Sequence, residues 1–117
     1  MKATNELDVV VYGASGYTGR LVCEYLADRY PDPGQLRWGM AGRSADKLAQ
    51  VRDEIGDSKD TPIIFADAAD PQSLEAMIGR AKAVISTVGP YQIYGSELVA
   101  ACAQAGVDYI DLCSEPN

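Results

Sequence analysis

Apolar runs and amphipathic runs alternate along the whole chain. Five short apolar runs are typical of strands: Asp8–Tyr12, Arg37–Ala41, Pro62–Ala66, Ala83–Val88 and Tyr109–Leu112. Four runs between them have helical spacing of their apolar residues: Tyr17–Arg29, Ala45–Ile55, Pro71–Arg80 and Gly95–Ala105. The first and fourth strands are nearly all apolar, as expected where helices cover both faces of a parallel sheet. The pattern therefore predicts one doubly wound α/β domain with right-handed crossovers and the strand order 3-2-1-4-5.

Polar residues mark the ends of three of these helices. Ser44 precedes the second helix as an N-cap, and Asp70 with Pro71 gives the third helix a cap followed by proline at its first position. Gly106 follows the fourth helix, where glycine commonly ends a helix. These signals support the helix boundaries independently of the apolar pattern.

The turn between the first strand and the first helix holds three glycines spaced G-x-x-G-x-x-G: Gly13, Gly16 and Gly19. A glycine turn that leads a strand into a helix lets the backbone approach a pyrophosphate. The N–H groups at the helix start then bind the anion, which the helix dipole also favours. Glycines mark ordinary turns as well, but the preceding strand and following helix favour a dinucleotide site.

The end of the second strand indicates which dinucleotide is bound. A site for NAD places a carboxylate near the ribose 2′-OH, about 20 residues after the glycines. Residues 35–45 contain no acid but do contain Arg43, followed by Ser44. A guanidinium can form charge-assisted bonds to a 2′-phosphate, and a serine hydroxyl can add another. We therefore expect NADP to be preferred over NAD, the alternative being that Arg43 is a solvated loop arginine.

The other strand ends hold further candidate residues. Asp67 follows the third strand, where it either accepts from the adenine amino group or serves as a turn or cap residue. After the fourth strand, small residues leave room for the nicotinamide half and Pro90 restricts the loop. Tyr91 and Tyr94 either pack on the cofactor or substrate or simply cover the sheet edge. Asp111 and Glu115 face the nicotinamide ribose or substrate, or are solvated charges.

The composition of the chain argues against several classes of function. The 117 residues carry a formal net charge of −7, so no basic surface is available for nucleic acid or an anionic membrane. No apolar run approaches the roughly 20 residues that span a bilayer. The three cysteines have no metal-type spacing, and there is no histidine for a Ser-His-Asp triad or a typical zinc site. We expect no metal, and the cysteine usage favours a reducing, cytoplasmic location.

Three segments together resemble the N-terminal NAD(P)-binding domain of the saccharopine dehydrogenase-like oxidoreductases, including the trans-acting enoyl reductases. They are V-V-V-Y-G-A-S-G-Y-T-G-R-L-V at Val9–Val22, A-G-R-S-A-D-K-L at Ala41–Leu48, and V-I-S-T-V-G-P-Y…G-V-D-Y-I-D within Val84–Asp111. The resemblance covers nearly the whole chain and implies a Rossmann-type fold that binds a nicotinamide cofactor for hydride transfer.

The resemblance also assigns roles to individual residues. It implies that the pyrophosphate is held by Gly13, Ser15, Gly16, Tyr17, Thr18 and Gly19. Arg43 and Ser44 would hold the 2′-phosphate, and Gly89, Pro90 and Tyr91 would line the nicotinamide side. In this family a second domain carries the contacts to a small-molecule substrate and much of a homodimer interface. We therefore expect residues 1–117 to be the cofactor domain of a longer enzyme, inactive by itself.

Two other functions remain open from the sequence. The glycine turn is also similar to that of N-acetyl-glutamyl-phosphate reductases, which form a semialdehyde through a nucleophilic cysteine. The A-G-R-S-A-D-K-L segment argues against that interpretation. A regulatory module that binds NADP without hydride transfer is the third alternative, and the catalytic acid or base is not assigned by any of these patterns.

Overall fold

The computed structural model describes residues 6–30, 34–56, 61–67, 69–87 and 92–111. Five strands and four helices alternate through them, in the order β1 (Leu7–Tyr12), α1 (Tyr17–Arg29), β2 (Trp38–Gly42), α2 (Ala45–Glu54), β3 (Ile63–Phe65), α3 (Pro71–Ile78), β4 (Ala81–Ser86), α4 (Gln92–Ala105) and β5 (Asp108–Asp111). Within the described residues, no helix has the length and apolar character needed to cross a bilayer.

The strands form one parallel sheet in the order β3-β2-β1-β4-β5, which confirms the predicted topology. Strand β1 is central, with Tyr12 opposite Ala41 of β2 on one side and Ser86 of β4 on the other. The carboxyl ends of all five strands therefore meet at one edge of the sheet, which we call the carboxyl edge. Crevices at this edge, where the strand order reverses, are the usual ligand sites of such folds.

Two apolar clusters cover the two faces of the sheet. One cluster packs α1 and α2 against the sheet through buried residues such as Cys23, Leu26 and Leu48. The other packs α3 and α4 on the opposite face through Met77, Cys102 and their neighbours. Val10 and Val11, adjacent on β1, are both fully buried and point into different clusters. The apolar composition of β1 thus follows from burial on both sides.

Most predicted boundaries agree with the structure to within one or two residues, and α1 matches its predicted range. The start of β4 differs because Lys82 interrupts the apolar pattern and displaced the predicted start to Ala83. In the structure Lys82 belongs to the strand, and its Nζ lies 3.4 Å from Oδ1 of Asp8. Helix α4 begins at Gln92, three residues before the predicted Gly95.

The predicted helix-end signals are confirmed. The Ser44 hydroxyl accepts a hydrogen bond from the backbone N–H of Lys47, and Asp70 accepts one from that of Ser73. Gly106 follows α4 with a φ of 73°, in the left-handed region that favours glycine. Local sequence therefore sets these ends.

Candidate nucleotide-binding site

The turn after β1 is fixed by close backbone contacts. Gly13 has a φ of 87°, a conformation that L side chains rarely adopt. The N–H groups of Gly13 and Ala14 both donate to the carbonyl of Ala41 in β2, at 2.9 and 3.1 Å. The N–H of Gly16 donates back across the turn to the carbonyl of Gly13, at 3.0 Å. The turn is thus held both to the neighbouring strand and within itself.

Gly19 brings helix α1 against this turn. A Cβ at position 19 would lie 2.1 Å from the Gly13 carbonyl oxygen and 2.7 Å from Cα of Ala14. Since both atoms belong to the backbone, no side-chain rotation relieves the overlap. A Cβ at Gly16 would instead meet Gly13 O at an ordinary 3.5 Å. The third glycine is therefore required by the packing of the helix on the turn.

Helix α1 begins without a side-chain cap. Its N-cap residue is Gly16, and its first turn contains no acidic residue. The first intrahelical bond runs from the Arg20 N–H to the Gly16 carbonyl, so the N–H groups of the three preceding residues lie outside the helical ladder. Tyr17 and Thr18, which carry two of them, are exposed, as are Ser15 and Gly16. The structure brings these predicted pyrophosphate residues together at an accessible helix start.

Arg20 adds no free charge to this helix start. Its guanidinium pairs with Glu24 on the same helix and with Glu54 at the end of α2. Hydrogen bonding to Arg20 holds the pKa of the Glu54 carboxyl below its ordinary value. Arg20 therefore connects α1 to α2, and its charge is already paired with two carboxylates.

Thr87, directly after β4, contacts the glycine turn and was not singled out from the sequence. Its N–H donates to the carbonyl of Tyr12 at 3.0 Å. Its hydroxyl Oγ1 lies 2.9 Å from the Tyr12 oxygen and 3.1 Å from the Gly13 oxygen. A polar residue following an apolar strand was the available signal, but sequence alone does not show which atoms lie beside it.

Arg43 and Ser44 lie directly after β2, at the same carboxyl edge. Arg43 is exposed, and its guanidinium has no ion pair or hydrogen bond to any described residue. Ser44 accepts from the Lys47 N–H at 3.3 Å, which leaves its hydroxyl proton available for donation. Capping and binding of a phosphate are therefore compatible roles for this serine.

Asp67 follows β3 and forms part of a local turn. Its Oδ1 accepts from the N–H of Ala69 at 2.9 Å, and its own N–H donates to the Ser73 hydroxyl at 2.9 Å. The turn interpretation of Asp67 is thus supported. A carboxylate retains further acceptor capacity, so contact with an adenine remains a prediction.

The remaining predicted residues are only partly described. Gly89, Pro90 and Tyr91 lie outside the described residues. Asp111 is the last residue of β5 and pairs in register with Ser86, which places it at the carboxyl edge.

The described cysteines are buried packing residues. Cys23 and Cys102 form no disulfide among the described residues and have no solvent exposure. Burial raises the pKa of the Cys102 thiol to about 11, so it stays protonated near neutral pH. Among the described residues no cluster of histidine, cysteine or acidic side chains is arranged to hold a metal ion.

Together these features fit a dinucleotide. The turn has no room for an extra carbon at Gly19, and the helix start has backbone donors and no side-chain cap. The arginine that follows the next strand has no ion pair or hydrogen bond within the described part of the chain. The model of the saccharopine dehydrogenase NADP binding domain matches residues 9–117. The chain belongs to this family.

Relatives of this saccharopine dehydrogenase-type domain are similar over most of the chain. A trans-acting enoyl reductase of Mycobacterium leprae is 50% identical over 111 residues, which cover 94% of this chain and 26% of that protein. A trans-acting enoyl reductase of Mycobacterium tuberculosis is 49% identical over 114 residues, covering 97% of this chain and 27% of the relative. The chain thus spans about a quarter of the length of these relatives.

The saccharopine dehydrogenase (L-Glu forming) of Saccharomyces cerevisiae shares the fold of this family member. It superimposes with a TM-score of 0.69 and 18% identity, over 94% of this chain and 22% of that chain. At this identity the likeness concerns the fold alone. The family match, together with the fold, identifies an NADP-binding domain of the oxidoreductase class.

Proposed function

We propose that the carboxyl edge of this sheet binds NADP(H) and prefers it to NAD(H). The observation that carries the proposal is the start of α1. Gly19 lets the helix approach the turn so closely that a Cβ would overlap backbone, and the N-cap has no side chain. An anion at this position completes the hydrogen bonding of a helix start that the protein leaves without a cap.

Arg43 supports the choice of NADP. The second strand leads directly to this residue, and no acid stands beside it in residues 35–45. The side chains of Arg20, Arg37, Arg52 and Arg80 all have hydrogen-bond or ion-pair partners among the described residues. Arg43 has none there. A 2′-phosphate would supply the negative partner, and the Ser44 hydroxyl would donate a second bond to it.

The remaining contacts complete the proposed site. Asp67 would accept from the adenine amino group, and Gly89, Pro90 and Tyr91, outside the described residues, would line the nicotinamide side. The nicotinamide ring supplies hydride-transfer chemistry when bound. The chain's own residues would bind and orient that group. The chain contains no histidine for proton transfer, and burial keeps the Cys102 thiol protonated near neutral pH by raising its pKa to about 11.

For a polypeptide of the relatives' length we propose NADP-dependent reduction of an enoyl group. Support comes from relatives about 50% identical that are named trans-acting enoyl reductases. We further propose that residues 1–117 act as the cofactor domain of such a polypeptide and, alone, bind cofactor without turnover. A reducing, cytoplasmic location agrees with the buried thiols of Cys23 and Cys102, which form no disulfide among the described residues.

Calorimetric titration of the 117-residue chain with NADPH and NADH tests the cofactor proposal. We expect tighter binding of NADPH, and Arg43→Ala should weaken it by about tenfold to a hundredfold, the range for a lost charge-assisted bond. NADH binding should not change. The matched control is Arg37→Ala, which removes the same charge at the other end of β2, where Arg37 lies 4.0 Å from Asp8.

Two results would contradict the proposal. No binding of either nucleotide by a folded sample would reject the nucleotide site. Equal loss of NADPH and NADH binding in Arg43→Ala would reject the role of Arg43 at the 2′-phosphate. Steady-state oxidation of NADPH by a polypeptide of the relatives' length, with an enoyl substrate, would separate a reductase from a sensing module.

A further inference from the structure

We propose that Thr87 is a positioning residue that holds the glycine turn in its cofactor-binding conformation. The inference rests on the proposed NADP(H) site and deepens it. The residue lies 74 positions after Gly13 in the chain, yet its hydroxyl is 3.1 Å from the Gly13 carbonyl oxygen. It thereby connects the end of β4 to the turn that would hold the pyrophosphate.

The backbone hydrogen bonds between β1 and β4 do not extend to Gly13. Strand β1 pairs with β4 up to Tyr12 opposite Ser86, and the last ladder bond is from the Thr87 N–H to the Tyr12 carbonyl. The next residue, Gly13, has a positive φ and turns away from strand geometry. The Thr87 hydroxyl extends the connection by one residue, because it reaches both the Tyr12 and the Gly13 oxygens.

The Gly13 peptide is the point on which the rest of the turn depends. Its oxygen accepts from the Gly16 N–H at 3.0 Å and is the atom nearest to the missing Cβ of Gly19. A rotation of this peptide would therefore move the start of α1. Because Thr87 approaches the same oxygen from β4, it opposes that rotation and keeps the first N–H groups of α1 at the carboxyl edge.

Thr87→Val and Thr87→Ser provide a matched pair. Valine keeps the branched shape and removes the hydroxyl, whereas serine keeps the hydroxyl. We expect Thr87→Val to bind NADPH about tenfold more weakly, a factor equivalent to 1.4 kcal/mol. Thr87→Ser should stay within about twofold of the unchanged protein, as expected if the hydroxyl is the group that matters.

Adenosine 2′-monophosphate distinguishes positioning from general damage. This ligand has the 2′-phosphate that Arg43 would bind but lacks the pyrophosphate, so Thr87→Val should leave its affinity unchanged. Hydrogen exchange of the Gly16 amide in the free protein gives a readout without cofactor. We expect faster exchange in Thr87→Val than in Thr87→Ser, because the acceptor Gly13 is less restrained.

Each alternative outcome is decisive. Unchanged Gly16 exchange and unchanged NADPH affinity in Thr87→Val would overturn the proposal. Parallel weakening of NADPH and adenosine 2′-monophosphate, with a lower melting temperature, would also overturn it in favour of a general structural role. If the unchanged folded protein bound no NADPH, the proposed function would fail, whereas the Gly16 exchange comparison would still decide whether Thr87 holds the turn.

Discussion

Helices α1 and α2 both begin at the carboxyl edge of the sheet, one after β1 and the other after β2. The first turn of α2 is completed within the chain, since Ser44 caps Lys47 and Asp46 lies near the positive end of the helix dipole. The first turn of α1 has a glycine at the N-cap and no acid. The difference agrees with the proposed binding of an anion at the start of α1, where the chain provides neither a capping side chain nor an acid.

Helix α3 strengthens the comparison because it too has a side-chain cap, from Asp70, and a proline at its start. Of the three N-caps that the structure describes, the one without a side chain follows the glycine turn. Serine, aspartate and asparagine are the residues most preferred at such a position, and glycine follows them. Glycine at this site is compatible with the proposed pyrophosphate contact, since it adds neither a carboxylate nor a side chain there.

Gly19→Ala should have the largest effect. Overlap with the backbone of Gly13 and Ala14 should lower the free energy of unfolding by about 3 kcal/mol, near the upper range for overpacking. Gly16→Ala is the matched control, because its Cβ would have a nearest contact of 3.5 Å, and it should lose less than about 1 kcal/mol. Urea denaturation measures both, and similar losses would contradict the packing argument.

Gly16→Asp should give α1 the side-chain N-cap that α2 already has. Gly16 has φ −80° and ψ 174°, a backbone geometry that suits an N-cap, so aspartate should stabilise the free protein by roughly 0.5 kcal/mol. The same carboxylate occupies the helix donors and repels phosphate, so NADPH affinity should fall at least about tenfold.

Asp70→Ala is the counterpart at a helix that is already capped. It should destabilise the protein by about 1 kcal/mol. Thermal unfolding measures the stability of Gly16→Asp and Asp70→Ala, and titration with NADPH measures their affinity for the cofactor. Tighter NADPH binding by Gly16→Asp would show that the open helix start does not serve the cofactor.

Asp8→Asn should have the smallest effect and tests the opposite edge of the sheet. The Arg37 N–H and then Lys82 hold the pKa of Asp8 below its ordinary value of 3.8. A lowered carboxyl pKa contributes stability above the unfolded pKa, and that contribution disappears as pH falls through the folded pKa. The unchanged protein should therefore melt slightly higher than Asp8→Asn near neutral pH, and the difference should vanish in acid.

NADPH affinity should be the same in Asp8→Asn, because Asp8 lies near the amino end of β1. A pH-independent difference in melting temperature would contradict the electrostatic explanation. A change in affinity would show that the two edges of the sheet are coupled.

Much of the fold follows from patterns local in sequence. The continuous apolar run of β1 was recognisable because the strand is buried on both faces. Ser44, Asp70 and Gly106 indicated helix ends because their interactions involve residues only a few positions away. The predicted start of β4 was wrong because Lys82 interrupts the apolar pattern, and its partner Asp8 lies in a distant part of the chain. From the sequence alone, the charge of Lys82 indicated that the strand begins after it.

The same distinction applies to the site. The glycine spacing and Arg43 were visible because each follows a strand directly. The contact of Thr87 with Gly13 depends on which strands are neighbours and on their register, so it became visible only in three dimensions. The close approach at Gly19 is similar. The spacing predicts a glycine there, but only the packing of α1 on the turn shows that a Cβ would lie 2.1 Å from the Gly13 oxygen.

During synthesis, the contacts of the glycine turn with β2 can form before its contact with Thr87. Strand β1, helix α1 and strand β2 leave the ribosome first, and the Ala41 carbonyl can accept from Gly13 while β4 is still untranslated. The Thr87 hydroxyl becomes available only when the chain has grown 74 residues beyond Gly13. We therefore expect a nascent chain to acquire its full affinity for the cofactor late, once β4 has inserted beside β1.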